Sequence, residues 1–396
     1  MFPNPICKLF AFSCLIGALI MTTTSTAADQ QTLRIATFNV SMDASNYLPE
    51  DQWASNGDHA LLDALNAHHP QIKGIAEILQ RVRPDIVLLN EFDYYPDHKA
   101  VDIFREQFLQ TPQNGEPAID YPYAYTATVN TGKPSPFDLN HDGKAAGKGD
   151  DAWGFGWYPG QYGMVILSRY PILTEQVRTF QNFLWQDMPN HHRVIDPVTD
   201  QPWYSDEIMA QFPLSSKSHW DVPVKVGNKV IHLLAAHPTP PVFDGKENRN
   251  GIRNFDEIRL WADYLSPNKA DYIYDDAGNK GGLAASASFV LVGDMNAGPG
   301  EGANLPGAIE QLLEHPRVQD PQPQSAAAAA HTPNNPDAKF HTAAWRKRAD
   351  YVLPSKDLKV KDTGIFWPAQ GEPGYNLMKT RDASSDHRLV WLDIQL

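Results

Sequence analysis

Asn39, Glu91, His237, Asp294 and Asn296 each close or follow a short apolar run, and Asp386 and His387 stand just before another. Carboxylates, amides and imidazoles brought together can hold a cation, move a proton and offset the charge of an anion. Taken singly, each residue has an ordinary explanation. Asn39 can cap a turn, Glu91 can be a solvated loop acid, and a histidine before a proline, as His237 is, is more often structural. Gly293-Asp294-Met295-Asn296 would pass as a plain turn. The joint placement carries the argument. Asn296 comes two residues after Asp294, so in extended chain both side chains face one way. If the last strand runs antiparallel to the others, Asp386 and His387 lie at the edge where the others end.

Positioning such a set requires a sheet. Residues 33–40, 85–91, 163–168, 230–237, 289–294, 351–353 and 388–394 read as strands. Ile86-Val87-Leu88-Leu89 is apolar on both faces, as a central buried strand is. Ile72, Ile75, Ala76 and Leu79 recur at helical spacing, with Pro84 just beyond. Ile258, Trp261, Ala262 and Leu265 repeat the pattern. Asn254 reads as the N-cap of that helix, with Asp256 and Glu257 in its first turn. Strands alternating with helices indicate a layered α/β domain. Residues 111–160, 176–223 and 321–338 read as long loops, the last a surface excursion around the alanine run Ala326 to Ala330. None separates balanced halves, so one domain is expected over residues 29–396.

Residues 1–28 have the three-part layout of a cleavable export signal. Lys8 supplies the charge, Leu9 to Met21 the apolar run, and Thr24-Ser25-Thr26-Ala27-Ala28 the small-residue stretch. The run is short for a membrane span, and no later segment is apolar for long enough. Export to the periplasm or the external medium is therefore expected. Both cysteines, Cys7 and Cys14, fall in this segment. The remainder can form no disulfide and must rely on core burial, with bound metal as an optional addition. The formal charge of −14 repels nucleic acid at long range. The chain is expected to act as a monomer.

Six segments then become specific together: Ile35-Ala36-Thr37-Phe38-Asn39, Pro84-Asp85-Ile86-Val87-Leu88-Leu89-Asn90-Glu91, Leu233-Leu234-Ala235-Ala236-His237, Val292-Gly293-Asp294-Met295-Asn296, Arg348-Ala349-Asp350-Tyr351-Val352-Leu353 and Ser384-Ser385-Asp386-His387. In this order they resemble the endonuclease/exonuclease/phosphatase superfamily of DNase I-like phosphoesterases. The resemblance implies a four-layer α/β sandwich, two mixed β-sheets packed face to face and flanked by helices. It implies that Glu91 and Asn39 hold a divalent cation, with Asp386 in its shell or beside it. Hard oxygen ligands suit Mg²⁺ or Mn²⁺ better than zinc. By the same resemblance Asp294 orients and deprotonates the attacking water, with Asn296 beside it. His387 contacts a phosphoryl oxygen, Asp350 fixes its tautomer, and His237 bonds a phosphate oxygen or assists the leaving group. A cation and imidazolium groups offset the negative charge that a phosphoester turns toward a nucleophile.

Other features bear on substrate. Arg249 and Arg253, four apart near a helix start, can clamp phosphate bidentately or form ion pairs with Asp244, Asp256 or Glu257. Asp138, Asn140 and Asp142, followed by Gly143, resemble the start of a structural Ca²⁺ loop. Position twelve is Gly149 where an EF-hand has glutamate, and a plain acidic turn is the alternative. The aromatics from Trp153 to Tyr162 can stack on a ligand or cover a core edge. The leading expectation is an exported metal-dependent enzyme acting on a phosphodiester or phosphomonoester. An extracellular nuclease, less favoured by the acidic balance, a sphingomyelinase-like phospholipase and a non-catalytic binding module are the alternatives.

Overall fold

The apolar runs form two sheets in the computed structural model, which describes Met1 and residues 32–396. In chain order the strands are β1 (Thr32–Met42), β2 (Ile86–Phe92), β3 (Tyr123–Tyr125), β4 (Met164–Ser168), β5 (Arg178–Thr179), β6 (His219–Val226), β7 (Lys229–Ala236), β8 (Ser288–Asp294), β9 (Asp350–Pro354), β10 (Lys359–Ile365) and β11 (Val390–Gln395). One sheet has the order β10-β11-β1-β2-β4-β3, the other β5-β6-β7-β8-β9. Each has one parallel pair, β1 with β2 and β7 with β8, among antiparallel neighbours.

Alternation along the strands makes the layers. Leu33, Ile35, Ile86, Leu88, Leu233, Ala235, Val290 and Val292 are of one parity and meet in the core between the sheets. The opposite parity faces helices. Phe38, Val87 and Leu89 pack on Ile72, Ile75 and Leu79 of the helix Pro70–Val82. Leu234, Leu291 and Leu353 pack on Ile258, Trp261 and Leu265, on and just beyond the helix Arg249–Tyr264. The result is the expected helix–sheet–sheet–helix sandwich, and Thr32–Leu396 is one compact unit.

Several expectations need correction. The helix Arg249–Tyr264 begins well before Asn254, which is not its N-cap. Asn254 is buried mid-helix, and its Nδ2 donates to the carbonyls of Thr239 and Met295. Residues 176–223 contain β5 and most of β6, whose Pro223 disguised the strand. Residues 321–338 hold a helix, Ala326–His331, capped by the Ser325 hydroxyl accepting from the Ala328 N–H. The leader expected at residues 1–28 lies outside the described residues apart from Met1. No helix among the described residues is long and apolar enough to cross a membrane.

Candidate active site

Strand parity decides which polar residues meet. Asn39, Asn90, His237, Asp294 and Asp350 share the parity of the inter-sheet core and sit at one end of it. There the apolar filling gives way to polar side chains that bond across the two sheets. Asn39 Nδ2 donates to Asp294 Oδ2 at 3.1 Å and to Glu91 Oε1 at 2.9 Å. Asn90 Oδ1 accepts from the Asp294 N–H at 3.3 Å, and its Nδ2 donates to the Ala236 carbonyl at 3.4 Å. Glu91 has the wrong parity to join them. A left-handed backbone, φ 57°, swings it round. Such a conformation costs on the order of 1–3 kcal/mol in a non-glycine residue, and such strain clusters at functional sites. At Gly293, φ 148°, a Cβ would collide with the Ala236 carbonyl, so β8 can approach β7 here only as glycine.

The second half of the set comes from β9 and the approach to β11. His387 Nδ1 and Asp350 Oδ2 are 2.9 Å apart. Thr342 Oγ donates to the same carboxylate oxygen at 2.7 Å and accepts from the Asp350 N–H. Ser385 Oγ donates to the Asn39 carbonyl at 2.7 Å, which ties the His387 turn to β1. His387 Nε2 then stands 3.7 Å from Asp294 Oδ2, and His237 Nε2 stands 3.4 Å from the same atom. The other Asp294 oxygen accepts from the Asn296 N–H at 2.9 Å. Asn296 Nδ2 donates to the Pro238 carbonyl at 3.2 Å.

Burial and charge set the protonation states. Burial, then the nearby Asp43 carboxylate, pushes Glu91 up to about 7. Burial pushes Asp294 up to about 6, against the pull of His387. Burial drives His237 well below the ordinary histidine range, and the cations Lys217 and His387 act in the same direction. Burial acts that way on His387 too, but Asp350 and Asp294 overcome it and hold that ring well above the ordinary range. One imidazole is therefore neutral and the other charged.

The expected residues Asn39, Glu91, His237, Asp294, Asn296, Asp350 and His387 thus converge. Asp386 stands one step outside. Its Oδ1 accepts from Ser41 Oγ at 3.2 Å and lies 3.7 Å from Arg381 Nε. Arg381 and the fully buried Asp43, 3.5 Å apart, were not singled out by sequence. Asp43 directly follows β1 but stands beyond the polar Asn39 and Ser41, and Arg381 lies in a short polar turn outside the strands. Asn90 was also passed over, because a polar residue inside an apolar strand carries no signal of its own.

Both arginines already have partners. Arg253 is buried, and its guanidinium donates to the carbonyls of Trp153, Pro213 and Leu214. That corrects the phosphate-clamp expectation for Arg253: three carbonyls already occupy its fork. Arg249 forms the ion pair that was the alternative to a phosphate clamp, but with Glu247 and with Asp150, the latter at 3.0 Å, in place of Asp244, Asp256 or Glu257. Asp138, Asn140 and Asp142 accept N–H bonds from Asp142, Gly143 and Lys144 and so fold an acidic turn. Of the aromatic segment, Trp153 and Tyr158 are buried in the core and Phe155 is exposed.

Glu91, His237 and Asp294 each offer a ligand atom within 4.8 Å of the others, as do Asp294, Asp350 and His387. The second group is already closed by the Asp350–His387 bond, so a cation fits the first, on the Glu91 side. Crowded, buried carboxylates with raised proton affinity are those that a cation relieves.

The fold has solved counterparts. An endonuclease/exonuclease/phosphatase from Beutenbergia cavernae aligns with a TM-score of 0.50 at 15% identity, over 93% of this chain and 72% of its own. A family protein from Leptotrichia buccalis gives 0.46 at 15% identity, over 92% and 100%. Truncated TDP2 from Caenorhabditis elegans gives 0.42 at 14% identity, over 92% and 98%. No curated protein matches the chain in sequence. The stretch that carries the converging residues, from the middle of β1 to His387, is also the stretch that a family model matches, residues 36–387, and the chain belongs to the Endonuclease/Exonuclease/phosphatase family.

Proposed function

We propose that the chain is an exported, divalent-metal-dependent phosphoesterase that cleaves phosphodiester or phosphomonoester bonds with water. The observation that supports this most is the line of contacts from Asp350 through His387 to Asp294, set beside the Asn39–Glu91 pair across the sheet junction. Glu91, with Asn39 beside it, fits a hard cation, Mg²⁺ or Mn²⁺, which when bound offsets phosphoryl charge and polarises the ester. Asp294 is held by the Asn296 N–H through one oxygen and offers the other between the two imidazoles. In that position it accepts the proton of the attacking water. His387, charged and held in orientation by the bond from Nδ1–H to Asp350, donates Nε2–H to a phosphoryl oxygen. His237 is neutral and its Nε2 completes the oxygen-binding rim. The acidic balance of the chain favours a small or medium phosphoester over extended nucleic acid.

Hydrolysis of p-nitrophenyl phosphate and bis-p-nitrophenyl phosphate with Mg²⁺, Mn²⁺ or Ca²⁺ tests the reading. Plasmid DNA and sphingomyelin belong in the panel, with Asp294→Ala and His387→Ala as controls. Turnover that both controls retain, or no turnover of any ester, would leave a binding module as the better account. Fractionation of expressing cells tests export: protein retained with its leader in the cytoplasm would end that part.

A further inference from the structure

Lys217 is only 5% exposed, and an ammonium is almost never buried without a partner. Among the described residues its side chain makes no hydrogen bond and no ion pair. Its charge is nevertheless felt at the site. The groups that attract it are Glu257, Glu91 and Asp294, Arg253 repels it, and His237 feels it as a cation. Glu257, the strongest of these, is committed elsewhere. Its two oxygens accept the N–H groups of Ser216 and Thr239, both at 2.6 Å.

The backbone here is fixed. The Lys217 carbonyl accepts from the Asn130 N–H at 2.9 Å, and Gly154 lies so close that a Cβ would collide with the Ser216 carbonyl. Lys217 is two residues before His219, which pairs with Ala236, the neighbour of His237. The chain thus holds a buried lysine with no side-chain hydrogen bond or ion pair among the described residues, on the segment that leads into the strand paired beside His237.

We propose that Lys217 is a further substrate-binding residue whose ammonium takes an anionic phosphoryl oxygen at the corner formed by His237, Asp294 and Glu91, favouring the doubly charged phosphoryl group of a monoester over a diester. This rests on the phosphoesterase reading and narrows its substrate class. A monoester carries one more negative charge and one more terminal oxygen than a diester. A fixed ammonium added to charged His387 suits that group, because charge-assisted bonds strengthen where water is excluded.

Inorganic phosphate is the probe, titrated into Mg²⁺-loaded protein by calorimetry and used as a competitive inhibitor. Lys217→Met keeps the apolar stem and removes the charge. Phosphate affinity falls about tenfold or more, as loss of a charged hydrogen bond implies. KM rises more for p-nitrophenyl phosphate than for the bis ester. Tm stays level or rises, because an unpaired buried charge is gone. Lys217→Arg retains part of the phosphate affinity and reports in its place if the methionine variant does not fold. A lysine with only a structural role gives the reverse, a lower Tm with phosphate affinity and the KM ratio unchanged, and that overturns the proposal. Wild-type protein that does not bind phosphate overturns it too. Turnover by wild type with Lys217→Met indistinguishable removes Lys217 and leaves the phosphoesterase reading. Phosphate binding lost with Lys217, without turnover of any ester, removes that reading and leaves the anion site.

Discussion

The His237 and His387 corners of the site differ less in position than in company. Both rings are buried, both stand at strand ends on one rim, and both reach Asp294 Oδ2, at 3.4 and 3.7 Å. The His387 ring has Asp350 behind it, and Nδ1 is bonded. Among the described residues the His237 ring has no hydrogen-bond partner at Nδ1, and the charges that weigh on it are cations. Burial pushes both toward neutrality, and at His387 the carboxylates, Asp350 first and then Asp294, reverse that push. The same residue type at the same rim thus supplies a charged donor on one side and a neutral ring on the other.

The sharpest way to break this comparison is through the residue both rings share. Asp294→Asn keeps the shape and removes the base, and kcat on bis-p-nitrophenyl phosphate should fall by roughly 10³-fold or more, within the range general-base removal produces. A variant within tenfold of wild type would mean that Asp294 is not the base. Next, Asp350→Asn should lower kcat on the order of 10²-fold, because His387 loses the bond that orients its ring and the main carboxylate that favours its charge. The same variant should leave His237 and metal affinity unaffected, so a loss of Mg²⁺ binding would contradict the division of roles.

A smaller effect is expected in metal linkage. Glu91, at about 7, must lose its proton to hold a cation. The rise in Tm on adding Mg²⁺ should therefore grow from pH 6 to pH 8, and Glu91→Gln should abolish that growth. A Mg²⁺ shift of equal size at both pH values would remove Glu91 from the cation site.

The smallest effect separates the two histidines by sign. His387 has a raised folded value, so its stabilisation is complete below the ordinary 6.5 and is lost as pH rises through the folded value. His237 has a depressed one, so its contribution is complete above 6.5 and is lost as pH falls toward that low value. With chelator present, the Tm deficit of His387→Asn should shrink as pH rises above about 6.5. The Tm difference of His237→Asn should shift in the variant's favour as pH falls below it. Each kcal/mol moves Tm by roughly 1–2 °C in a domain as long as Thr32–Leu396. Parallel pH profiles for the two variants would refute a neutral His237 beside a charged His387.

The reading of the strands shows why part of the site was visible early. Asn39, Glu91, His237 and Asp294 end apolar runs, and a polar residue at the end of a buried strand stands out. Arg253 misled because a guanidinium close in sequence to His237 has the right chemistry, and only three-dimensional packing shows three carbonyls around it. Asn254 misled for a related reason: a good capping residue is equally able to bond two carbonyls from inside a helix.

Composition and periodicity alone determined the class of fold, most of the strands and the inventory of polar residues at their ends, because alternation and apolar runs are local properties of the chain. Contacts between distant segments are not local. The left-handed backbone of Glu91 itself, the meeting of Asn39 and Asp294 across two sheets, the different charge states of the two imidazoles and the burial of Lys217 were decided only when those segments packed. Burial raises the energy of every unpaired charge, and which partner each one finds depends on the whole tertiary arrangement.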